Sequence, residues 1–130
     1  LAIGKTRMIL WGLDAPERSQ QCKLQGKPWT CWNVAARALQ ILVANGPIRC
    51  ENKGQADVFK RIYAICTANN VNINEAFVRS GMALALREQS DAYVSAEDDA
   101  RERSVGLWQA EAEFINPWEW RRNNASNGAR

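Results

Sequence analysis

The order of elements legible in the sequence predicts a mixed α+β domain: strands, a helix, more strands and further helices, with the strands forming a small antiparallel barrel. Three observations carry this. Arg7, Ile9 and Trp11 alternate with Met8, Leu10 and Gly12 at strand spacing. Val34, Ala35, Ala38, Leu39 and Leu42 recur at helical spacing within residues 32–44. No internal repeat or domain boundary interrupts the 130 residues, and 46% hydrophobic with 24% charged composition suits one modest core.

Along the chain, "LAIGKTRMILWGL" reads as two short strands turning at Gly4-Lys5. "ERSQQCKLQGKPWTC" is polar and contains Gly and Pro, so it reads as a surface loop leading into the first helix, which Gly46-Pro47 stops. "IRCEN" and "RIYAICTA" form an antiparallel pair around a loop at 53–60, with a turn at Asn69-Asn70. Asn74 is the expected cap of a short helix, "EAFVRSGMA", with Gly81 near its end. "LALR" reads as a short strand. Residues 93–104 form a charged helix with Val94, Ala96 and Ala100 on its inner side, ending near Gly106. The domain is expected to span 1–120, leaving 121–130 as a polar, disordered tail.

Composition limits the chemistry. A net charge of +3 and a pI near 8.8 are compatible with a polyanionic partner. The chain has no histidine, which excludes Ser-His-Asp and Cys-His sites. Acid–base work must fall to carboxylates, arginine, lysine, tyrosine or metal-bound water. No apolar run approaches the roughly 20 residues that cross a bilayer, so no membrane partner is expected. Cys22, Cys31, Cys50 and Cys66 make no C-x-x-C pair, and disulfides of an exported protein fit them better than zinc. Three connectivities are possible. The reading favours Cys22–Cys31, closing the polar loop, and Cys50–Cys66, joining the two strands; four buried thiols in a cytosolic protein are the alternative.

"LWGLDAPE", "DVFKRIYA", "VNINEAFVRSGMA", the Tyr93, Glu97, Ala100, Arg101 spacing and "GLW" occur in the order seen in the thermonuclease, or staphylococcal-nuclease-like, family, which the chain resembles over residues 1–108. The cysteines and the "PWEWRR" tail resemble an exported bacterial branch, some of whose members are labelled succinoglycan-biosynthesis proteins. The resemblance implies a five-stranded OB-fold barrel with three helices and a calcium-dependent phosphodiesterase that cuts DNA and RNA. On this resemblance Asp14 is a Ca2+ ligand and Glu17 the carboxylate that orients or deprotonates the attacking water. Arg61 neutralises charge on the phosphorus centre, where a guanidinium fork serves better than lysine. Export presumes a signal peptide upstream of Leu1.

Two departures bear on activity. The second catalytic arginine of the family falls at Ile9, and Arg7, two residues back on the same strand face and about 6.6 Å away, is a partial stand-in. The family's Asp-Gly-Asp-Thr motif and first barrel strand are expected before Leu1; without that strand a sheet edge is open, so either the chain continues upstream and is monomeric or another chain supplies the edge. Lys53, Lys60 and Arg87 are candidates for tracking phosphates, with a solvated basic surface as the alternative. Tyr93, Trp108 and Trp118 can stack bases, but packing is their expected role. The functional alternatives are a catalytically inactive OB-fold module that binds nucleic acid or protein, and an interaction protein using its aromatic tail.

Overall fold

The computed structural model describes residues 2–3 and 6–125, so the turn expected at Gly4-Lys5 lies outside the described residues. In chain order the elements are strands β1 (Ala2–Ile3), β2 (Thr6–Leu10), β3 (Leu13–Asp14), β4 (Cys22–Leu24) and β5 (Lys27–Trp29), then helix α1 (Cys31–Val43). Strands β6 (Ile48–Gln55), β7 (Ile62–Ala68) and β8 (Val71–Asn72), helix α2 (Ile73–Arg79) and strand β9 (Leu84–Ala85) follow. Helix α3 (Val94–Arg103), a 3-10 turn at Gly106–Trp108, strand β10 (Ala112–Glu113) and helix α4 (Pro117–Ala125) are the last of the described elements.

The central sheet has the order β1-β2-β7-β6, with β8 folded back on β7. Its middle strand alternates as a half-buried strand should: Ala64, Cys66 and Ala68 are buried and their neighbours less so. β2 lies parallel to β7, with Ile9 opposite Tyr63, while β6 is antiparallel, with Cys50 opposite Cys66. β6 forms one edge and carries Arg49, Glu51 and Lys53, charges that discourage edge-to-edge pairing. Asn69 and Asn70 both take positive φ between β7 and β8, which asparagine tolerates better than most residues.

Helix α2 buries Ile73, Phe77 and Val78 against this sheet, and α3 buries Ala96, Glu97 and Ala100. Gly81 follows α2 at φ +85, and its carbonyl accepts from Leu107 N–H at 2.9 Å. The chain at 105–106 passes so close that a Cβ at Gly81 would collide with backbone. Among the described residues no helix is long and apolar enough to cross a membrane.

Both disulfides pair as favoured, Cys22–Cys31 and Cys50–Cys66. Four expectations need correction. The α+β class holds, but among the described residues the strands make three separate sheets and no closed barrel, and there are four α-helices rather than three. The polar loop contains a hairpin, β4–β5, turning at Gln25 and Gly26, both at positive φ as tight hairpin turns require. Strand β10 pairs with β4 and completes a three-stranded sheet, so remote residues supply the hydrogen bonds that make this polar segment regular. The cap of α2 is Asn72, whose side chain accepts from Glu75 N–H at 3.0 Å; Asn74 lies inside the helix and is fully buried. Helix α4 runs past Trp120 to Ala125, and residues 126–130 of the expected tail lie outside the described residues.

Candidate functional site

The lip of β2 is fixed before any charged group is placed on it. Trp11 N–H donates to Ala64 C=O at 2.8 Å, and Gly12 then turns the chain at φ +85. A Cβ there would sit 2.8 Å from the Tyr93 ring, so only glycine fits both the angle and the space. Gly12 N–H donates to Gln89 Oε1 and Gly12 C=O accepts from Leu86 N–H, each at 2.9 Å. β3 then pairs with β9, setting Asp14 opposite Leu84. Ala15-Pro16 carry the chain to Glu17, whose N–H donates to Gln20 Oε1 at 2.9 Å. Gln20 is itself buried, and its amide donates to Ile115 C=O at 2.6 Å, tying the Glu17 turn to the C-terminal segment.

Asp14 and Glu17 face a cavity of about 400 Å³ whose lining also includes Ile9, Asp57, Arg61, Tyr63 and Arg121. Arg61 arrives from the end of the loop between β6 and β7, held by Asp57: its Nε donates to Asp57 Oδ2 at 2.7 Å. That hydrogen bond, aided by the Phe59 N–H at 3.0 Å, holds the Asp57 carboxyl below the usual carboxylate range. Phe59 projects from the same loop and is 75% exposed.

Arg121 reaches the cavity from α4. Its Nη1 donates to Asp14 Oδ1 at 3.1 Å and its Nη2 to Asp14 Oδ2 at 2.6 Å, a bidentate fork. Nη1 also pairs with Glu17 Oε1. These bonds, that to Asp14 foremost, raise the pKa of the guanidinium, so it stays charged.

The structure therefore brings Asp14, Glu17 and Arg61 together and sets Ile9 beside them. Arg7 is exposed on β2 opposite Ala2 and is not part of the cavity wall. Lys60 is exposed in its loop at φ +64, and Arg87 turns instead toward Glu97, at 3.8 Å. Lys53 lies 4.0 Å from Glu51. Tyr93 is buried in the core, and Trp108 packs edge-on against Phe114 beneath the Arg101 guanidinium. Trp118 packs against the core. Arg121 was missed by sequence reasoning; the basic, aromatic "PWEWRR" run was its only signal, and no local spacing relates it to Asp14.

Asp14 and Glu17 suit a hard cation in kind, being oxygen donors on one cavity that already hold a positive group. They are few: such an ion takes roughly six to eight oxygens, so water, carbonyls or substrate must supply the rest. Among the described residues no group of three or more His, Cys, Asp or Glu side chains gathers to hold a metal.

The family model described as staphylococcal nuclease homologue matches residues 7–110. A Haemophilus influenzae protein named "uncharacterized endonuclease" is 33% identical over 119 residues, covering 90% of this chain and 61% of that protein. The succinoglycan biosynthesis protein ExoI of Rhizobium meliloti is 32% identical over 117 residues, covering 87% of this chain and 61% of its own length. The chain thus spans about three-fifths of the length of both relatives.

Proposed function

Because the chain belongs to the staphylococcal nuclease homologue family, we propose that it is a calcium-dependent phosphodiesterase of DNA or RNA, weakened by the apolar Ile9 in its site. The observation that carries this reading is the convergence of Asp14, Glu17 and Arg61, from separate segments, on one cavity. Asp14, with Glu17 nearby, would hold the cation, which when bound polarises the phosphate and makes coordinated water more acidic. Glu17 takes a proton from the attacking water as its oxygen bonds to phosphorus. The bond from phosphorus to the leaving oxygen breaks, and that oxygen is protonated from solvent. Arg61, aimed by Asp57, donates to the phosphate oxygens as negative charge builds on them. Phe59, on the loop that carries Arg61, offers an exposed ring on which an unpaired base can stack. Ile9 cannot donate to phosphate, and a missing donor of this kind typically costs about 100- to 1,000-fold in rate.

The paired cysteines support work in an oxidising compartment, and we place the protein outside the cytoplasm on that ground. The test is digestion of single-stranded DNA in calcium. Slow, chelator-sensitive cleavage is expected, lost in Glu17→Gln and raised in Ile9→Arg. A second reading, an inactive nucleic-acid-binding module, is favoured by Ile9 in the cavity wall. It replaces the first if no variant, Ile9→Arg included, cleaves.

A further inference from the structure

Arg121 contacts both carboxylates on which the proposed chemistry depends, and it does so from the far end of the chain. The contact is built by the fold. Pro117 is fully buried at the first position of α4, Asn116 Oδ1 accepts from Glu119 N–H at 3.2 Å as a cap, and Trp118 packs on the core. One turn further along this anchored helix, Arg121 meets the cavity.

The charge balance gives the contact a purpose. The wall carries three carboxylates, Asp14, Glu17 and Asp57, against two guanidinium groups, Arg61 and Arg121. Arg61 is partly committed to Asp57. Without Arg121, and with no metal ion bound, the wall would hold one cation against three anions, a poor receptor for a negatively charged phosphodiester. Of the five N–H donors of a guanidinium, three bonds to Asp14 and Glu17 leave two for another acceptor. We propose that Arg121 is a substrate-contacting residue of this site: it holds Asp14 and Glu17 as a pair and presents, beside Arg61, the second guanidinium that receives the phosphodiester. This rests on the reading of the cavity as a phosphodiester site.

The experiment uses the full chain, with circular dichroism melts to verify that each variant folds. Binding of a short fluorescent single-stranded DNA is measured in chelator by anisotropy for wild type, Arg121→Ala and Arg121→Lys. Arg121→Ala should bind about tenfold more weakly, with Lys restoring part of the loss, because a charge-assisted bond to phosphate disappears. A methylphosphonate oligomer, which lacks backbone charge, should bind all three alike, an equality that mere structural damage would break. In calcium, Arg121→Ala should cleave about 100- to 1,000-fold more slowly, and adding Ile9→Arg should recover part of that rate. Faster cleavage or unchanged DNA binding by Arg121→Ala overturns the proposal and makes Arg121 a plug or a bystander, while the phosphodiesterase reading stands. If the wild type does not cleave but Arg121→Ala loses DNA binding, the enzyme reading falls and the role of Arg121 survives. A wild type that neither binds nor cleaves removes both.

Discussion

Asn74 shows how much a single side chain can decide. Its amide donates to Trp11 C=O at 3.0 Å and Ala64 C=O at 3.1 Å, and its oxygen accepts from Cys66 N–H at 3.1 Å. One buried residue thus joins α2 to the two strands that set the lip of the site. Asn74→Ala would remove the side-chain partners of Trp11 C=O and Cys66 N–H, while Ala64 C=O keeps Trp11 N–H, and a loss of about 2 kcal/mol is expected in denaturant unfolding. Asn74→Asp should be worse, since an ionised carboxylate cannot donate to either carbonyl. Glu97 plays a similar part on α3: buried, it accepts from Ala85 N–H at 2.9 Å and pairs with Arg101 at 3.1 Å. Glu97→Ala should cost about 2 kcal/mol and loosen β9, the strand opposite Asp14.

At the scale of elements, the loop between β6 and β7 aims Arg61 through Asp57. The Asp57 carboxyl titrates lower in the folded loop than in an unfolded chain, chiefly because Arg61 bonds to it. Its ionised form therefore favours the ordered loop above the unfolded value, about 3.9, and that preference is lost as pH falls through the lower folded value. Faster amide exchange at Phe59, whose N–H donates to Asp57, is expected below about pH 4 relative to the core strands. Asp57→Asn should produce the same loosening at neutral pH and lower the cleavage rate through a misaimed Arg61. On the same loop, Phe59→Ala should weaken single-stranded DNA binding by about 1 kcal/mol, the lower end for one stacked base, without altering thermal stability, because the ring packs on little.

Across the whole molecule, the two disulfides join elements that small sheets alone hold weakly. Cys50–Cys66 fastens the edge strand to the central one, and Cys22–Cys31 ties the β4–β5 hairpin to the start of α1. Thiol titration of the unfolded, unreduced chain should find none, as no cysteine is free. Replacing Cys50 and Cys66 together by alanine should cost about 3 kcal/mol, typical for closing a loop of this length. Equilibrium unfolding with and without reductant measures it.

The sequence by itself determined what depends on neighbours in the chain. "IRCEN" and "RIYAICTA" were legible as an antiparallel strand pair and helical spacing marked out α1, while the four cysteines left three connectivities open, of which the favoured one is found. Asp14, Glu17 and Arg61 were singled out through the resemblance of their short motifs to those of the nuclease family, not from their spacing alone. Where sequence reading failed, the deciding partner was remote, or two local choices competed. Asn72 and Asn74 are both able caps, and only burial against Trp11 and Ala64 assigns Asn74 to the interior. The hairpin β4–β5 reads as a loop because β10, from the other end of the chain, completes its sheet. Arg121 reads as tail because its charge is satisfied by Asp14 and Glu17, 107 and 104 residues away. Periodicity encodes which face of an element is buried; which distant side chain meets that face is decided only by the packing of the whole molecule.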